Sequence, residues 1–128
     1  MYQYEVKLVR VIDGDTFVCN IDLGFGIWLN NQHCRLLGVD APEKNTEAGK
    51  NAKAYTEKWF ERMTKGNYTT YVNVNAKDDK YGRRLVTLYS SDAGISLNLL
   101  LQDESMATAY DGRSKRGVTN VERKENQP

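Results

Sequence analysis

The chain has 128 residues, with 18 basic and 17 acidic side chains, one His and a formal net charge of +1. That length suits a single domain, and 40% hydrophobic with 27% charged residues excludes a wholly disordered chain. The balanced charge excludes a protein that coats nucleic acid by bulk electrostatics. No apolar run approaches the roughly 18–20 residues of a membrane-spanning helix.

The opening Met1-Tyr2-Gln3-Tyr4-Glu5-Val6 lacks a basic region followed by an apolar one. No signal peptide is read there, and a cytoplasmic location is expected. Residues 4–12 are rich in branched side chains and predict a strand. Asp13-Gly14-Asp15 is a turn of the Asp-Gly type that favours a tight hairpin. Strand resumes from Thr16 to Asp22, with Phe17, Cys19 and Ile21 on one face. Leu23 to Gln32, holding Gly24 and Gly26, reads as a long hairpin excursion before a strand from His33 to Val39.

Pro42 closes that strand by fixing its own φ and removing a donor. A helix is predicted to start at Asn45 or Thr46, either of which can cap it. Ala48, Ala52, Tyr55, Trp59 and Met63 recur at helical spacing as its buried stripe, and Gly66 is its expected stop. Strands follow over Tyr68–Asn75 and Arg84–Ser90, with a polar loop between them and an Asp92-Ala93-Gly94 turn after them. Ser96 can cap a second helix with Leu97, Leu100 and Leu101 on one side. The order is strand–strand–strand–helix–strand–strand–helix. It predicts an α+β, mainly β fold: a five-stranded barrel of the OB type with two or three flanking helices.

Cys19 and Cys34 are too few and too far apart for a zinc site. They are either buried thiols or, if their strands pair in an oxidising compartment, a disulfide. The lone His33 reads as a surface or satisfied polar group. Residues 113–128 hold five basic and two acidic side chains, leaving −2 on residues 1–112. This tail reads as a solvated terminus or as a phosphate-touching arm.

Three clusters carry chemistry: Asp13-Gly14-Asp15-Thr16, Arg35 through Glu43, and Asp79-Lys80-Tyr81-Gly82-Arg83. Asp15 and Asp40 fall at strand ends, where carboxylates can converge with backbone carbonyls and water on a hard cation. Arg35 and Arg83 offer planar forks of donors that match phosphate oxygens. Glu43 is a candidate general base or a group that holds a bound water. Together these are the parts of metal-assisted phosphoryl transfer. No GxxxxGK[ST], CxxC or HExxH pattern is present.

The sequence resembles the staphylococcal nuclease (thermonuclease) family. The matching pieces are Val11-Ile12-Asp13-Gly14-Asp15-Thr16, Arg35 through Glu43, Asp79 through Arg83, Ser96-Leu97-Asn98 and Ala107-Thr108-Ala109-Tyr110. The resemblance implies an OB-fold nuclease domain over residues 1–112, followed by the 113–128 tail. It implies Ca²⁺ held by Asp15, Asp40 and the carbonyl of Ala41, and catalysis by Arg35, Glu43 and Arg83. Lys80, Tyr81 and Tyr110 would contact the nucleotide. The expected activity is Ca²⁺-dependent endonucleolytic hydrolysis of DNA and RNA with little sequence specificity, single strands favoured, leaving 3′-phosphate ends. A monomer is expected. Ser105 stands where many members have Gly, which costs on the order of 1 kcal/mol if the position requires a positive φ. The alternative is a non-catalytic OB module that binds single-stranded nucleic acid or a protein partner.

Overall fold

The structure is a computed structural model that describes residues 2–92 and 94–109. Tyr110 and the 113–128 tail lie outside the described residues, as does Ala93 of the expected 92–94 turn. Strands β1 (Tyr2–Asp13), β2 (Thr16–Gly24) and β3 (Ile27–Leu36) form an antiparallel meander. Two-residue β4 (Val39–Asp40) leads to helix α1 (Glu47–Lys65). Strands β5 (Thr70–Val74) and β6 (Arg84–Ser90), helix α2 (Leu97–Asp103) and two-residue β7 (Thr108–Ala109) complete the order. The sheet closes as β1-β2-β3-β6-β5, a five-stranded barrel of the OB type. No helix among the described residues is long and apolar enough to cross a membrane.

Alternation fills the barrel. Val6, Phe17, Cys19, Ile21, Cys34, Leu36, Val72, Val86 and Leu88 point inward and are buried. Helix α1 lays Trp59, Phe60 and Met63 against this core, with Phe60 5.4 Å from Phe17 and edge-on to Trp59 at 5.1 Å. The buried face of α1 differs from the expected stripe. Ala48 is exposed and Tyr55 only half-buried, while Gly49, Thr56 and Phe60 complete the face. Thr56 belongs inside because its hydroxyl donates to the Gly14 carbonyl at 2.7 Å.

The first hairpin forms where expected, with Asp13 paired to Thr16. Yet none of Asp13, Gly14 and Asp15 has the positive φ that primed hairpin turns require. Glycine is needed at 14 for space: a Cβ there would sit 2.7 Å from the Ala52 Cβ of α1.

The third strand is longer at its start and shorter at its end than the expected His33–Val39. It begins at Ile27, bulges near Asn31 (φ 56°) and ends at Leu36, because Gly38 turns the chain at φ 81° before β4. The β2–β3 ribbon reaches past the barrel and carries a fully exposed Phe25 at its tip.

Thr46 caps α1, accepting from the Gly49 N–H at 3.0 Å, and Ser96 caps α2. Gly66 ends α1 without adopting a left-handed conformation (φ −84°); Asn67 does so instead (φ 57°). The Tyr68 N–H then bonds the Met63 carbonyl and the Asn67 N–H bonds that of Thr64, a Schellman ending. Helix α2 ends the same way on Ser105 (φ 58°).

Cys19 and Cys34 are buried free thiols with Sγ atoms 3.6 Å apart. Their mutual hydrogen bond, then burial, push the Cys19 thiol far up from its ordinary pKa.

Candidate active site

One end of the barrel carries a cavity of about 670 Å³. Asp15, Arg35, Asp40, Ala41, Glu43, Lys80, Tyr81 and Arg83 all line it. The three sequence clusters, separated along the chain, are therefore brought to one place. Tyr110 lies outside the described residues.

The acidic wall is built first by the β1–β2 turn. It buries Asp15, whose Oδ1 accepts from the Thr16 hydroxyl at 3.0 Å. Its Oδ2 accepts from the Ala41 N–H at 2.9 Å, which ties the turn to the end of β4. Arg35 is aimed from β3 into the same wall. Its Nη2 lies 3.4 Å from Asp15 Oδ2 and 3.1 Å from Asp40 Oδ1, and its Nη1 donates to the Leu36 carbonyl. One guanidinium thus bridges both carboxylates in a largely buried setting, where such pairs are screened little by salt.

Glu43 stands where the chain leaves β4 for α1. Its carbonyl accepts from both the Thr46 N–H at 3.0 Å and the Thr46 hydroxyl at 2.6 Å. A Cβ at Gly49 would collide with that carbonyl, so the start of α1 fixes the backbone that presents Glu43.

The basic wall comes from the loop before β6. Asp79 accepts from the Tyr81 and Arg83 N–H groups at 2.9 and 2.8 Å and from Arg83 Nε at 2.6 Å. Burial acts to raise the Asp79 pKa. Hydrogen bonds from the Arg83 backbone and side chain and the Tyr81 backbone, with the Arg83 charge, outweigh it and hold the group below its ordinary value. Tyr81 is 73% exposed, with Lys80 Nζ and the Arg83 guanidinium each 5.3 Å from its ring centre.

Sequence reasoning gave no site role to Asp13 or Asp79, although both stand in the clusters it singled out. Asp79 orients Arg83 from four residues upstream. Asp13 lines the cavity, and its buried Oδ1 has no hydrogen-bond partner among the described residues. Burial and then the neighbouring Asp15 raise the Asp13 pKa.

Among the described residues no three His, Cys, Asp or Glu side chains form a metal-holding group. The cavity lining nevertheless offers oxygen donors and neither His nor Cys. Asp15 and Asp40, with an orphaned carboxylate oxygen on Asp13 in the same lining, suit a hard cation that keeps water or phosphate in its other positions.

Acidic side chains and two arginines thus line one cavity of a small closed barrel. A family profile described as "Staphylococcal nuclease homologue" matches residues 33–127, and the chain belongs to that nuclease-type family. A search of curated proteins finds no match.

Proposed function

We propose that the protein is a Ca²⁺-dependent nuclease that hydrolyses phosphodiester bonds of DNA and RNA with little sequence specificity, acting as a monomer and favouring single strands. The observation that carries this reading is the bridge from Arg35 to Asp15 and Asp40 on one wall of a cavity whose other wall holds Arg83.

Asp15, Asp40 and the Ala41 carbonyl would hold Ca²⁺, which when bound supplies Lewis-acid polarisation of a phosphate oxygen. Arg35 and Arg83 bind phosphate oxygens and stabilise the charge that develops on them. Glu43 accepts a proton from the attacking water. The P–O5′ bond breaks, leaving a 3′-phosphate and a 5′-hydroxyl. Lys80 and Tyr81, with Tyr110, contact the nucleotide. Low sequence specificity follows from a lining that grips the sugar–phosphate chain, which carries no base information.

The test is digestion of single-stranded DNA and of RNA with Ca²⁺ or with a chelator. Cleavage is expected only with Ca²⁺, and Arg83→Ala is expected to lower the rate by about 100-fold or more. Undiminished cleavage after removal of all divalent ions would overturn the assignment.

A further inference from the structure

Cys19 and Cys34 are the chain's two cysteines, and neither lines the cavity of the candidate site. They stand on neighbouring strands as a diagonal pair: Cys19 faces Gln32 and Cys34 faces Phe17. Both side chains point into the barrel and are fully buried. Their Sγ atoms lie 3.6 Å apart, so a disulfide of about 2.05 Å needs the sulfurs to close by about 1.5 Å. The ladder can give at this place. The register slips between Cys19 and Ile21, and a bulged ladder bends locally. On β3, pairing with β6 begins only at Cys34.

Inside the closed barrel the pair is inert. Both sulfurs are sealed from solvent, and disulfide formation starts with a thiolate that meets an oxidant. The hydrogen bond with Cys34, then burial, hold the Cys19 thiol protonated. The open chain differs. The meander β1-β2-β3 pairs within itself, and β5 and β6, which close the sheet, come later in the sequence. The two thiols can therefore lie side by side while still in contact with solvent.

We infer that Cys19 and Cys34 form a disulfide site that is set during folding: the pair oxidises while the meander is open, and the closed barrel then keeps the redox state it had at closure. The co-reactant is a small disulfide such as oxidised glutathione. One cysteine thiolate attacks it, forming a mixed disulfide and releasing one small thiolate. The second cysteine thiolate attacks the protein sulfur of that mixed disulfide, and the second small thiolate leaves. The two cysteine protons end on the departing thiolates; the chain loses two electrons and the oxidant gains them. The bond would tie β2 to β3 immediately before Arg35. It does not depend on the nuclease reading.

In the experiment the full chain is reduced in urea, then diluted into native buffer with reduced or with oxidised glutathione. Products are alkylated in urea and weighed. Refolding with reduced glutathione is expected to leave two alkylated cysteines. Refolding with oxidised glutathione is expected to give a chain about two mass units lighter that takes no alkyl group, folds, and unfolds at higher urea than the reduced form. Folded reduced protein moved into oxidised glutathione is expected to lose its thiols about 100-fold more slowly than the chain in urea. Two alkylated thiols or a glutathione adduct after oxidative refolding overturns the disulfide site. So does an oxidised product that fails to fold or has the lower urea midpoint. Oxidation of the folded protein as fast as of the unfolded chain overturns the retention of redox state by the closed barrel.

Discussion

Asp79 shows how a single carboxylate can set the direction of a charged partner. It grips Arg83 through both its backbone and its guanidinium, with the carboxylate side chain 11% exposed. Because its folded pKa is depressed, the stability it contributes is present above the ordinary carboxylate value and lost as pH falls through the folded one. Asp79→Asn is therefore expected to lower stability most at neutral pH. Its difference from wild type should close as pH drops below about 4, as read by urea titrations across pH. Asp13 has the opposite sign: its raised pKa favours the protonated form in the fold. The clusters holding these acids were legible in the sequence because their residue types are chemically demanding. The roles of Asp13 and Asp79 were not. One depends on burial beside Asp15 and the other on a loop that folds back four residues, and neither leaves a pattern in spacing.

At the scale of elements, the Ser96 cap and the strand Arg84–Ser90 follow from local chemistry and were read to the residue, and Thr46 was one of the two caps open to α1. The third strand was misread because Gly24, Gly26 and the polar run Asn30-Asn31-Gln32 interrupt its alternation; the register slip that the run accommodates is set by pairing with β2. The buried stripe of α1 was misplaced by its first turn, since Ala48 faces solvent while Gly49 must pass the Glu43 carbonyl. Helix endings yield a direct test. Both helices finish on a non-glycine residue with positive φ, Asn67 and Ser105. Asn tolerates that region because its short amide can bond locally, whereas Ser bears the steric cost. Ser105→Gly is expected to stabilise the protein by about 0.5–1 kcal/mol and Asn67→Gly by less, measured by urea denaturation.

For the molecule as a whole, the shortest seam of the barrel is the parallel one where β3 meets β6 over Cys34–Leu36 and Arg84–Val86. Arg35 sits on this seam, so its integrity and the site's geometry are one matter. Asn98, buried at the start of α2, clasps the seam with three hydrogen bonds. It donates to the Leu37 and Val86 carbonyls at 2.8 and 3.1 Å and accepts from the Leu88 N–H at 3.0 Å. Asn98→Ala is expected to cost roughly 2–4 kcal/mol in chemical denaturation, because buried backbone groups lose their partners. A loss below about 0.5 kcal/mol would show that water replaces the amide readily.

The strand order β1-β2-β3-β6-β5 also dictates a timetable for the growing chain. The meander emerges first with both outer strands uncovered, since β1 awaits β5 and β3 awaits β6. Until residue 90 leaves the ribosome the nascent sheet presents two open edges, the condition in which chains stick to one another. The same late hairpin delivers Asp79 and Arg83. A half-made chain thus holds the acidic wall without the arginine opposite it, and closing the barrel and completing the site are a single event.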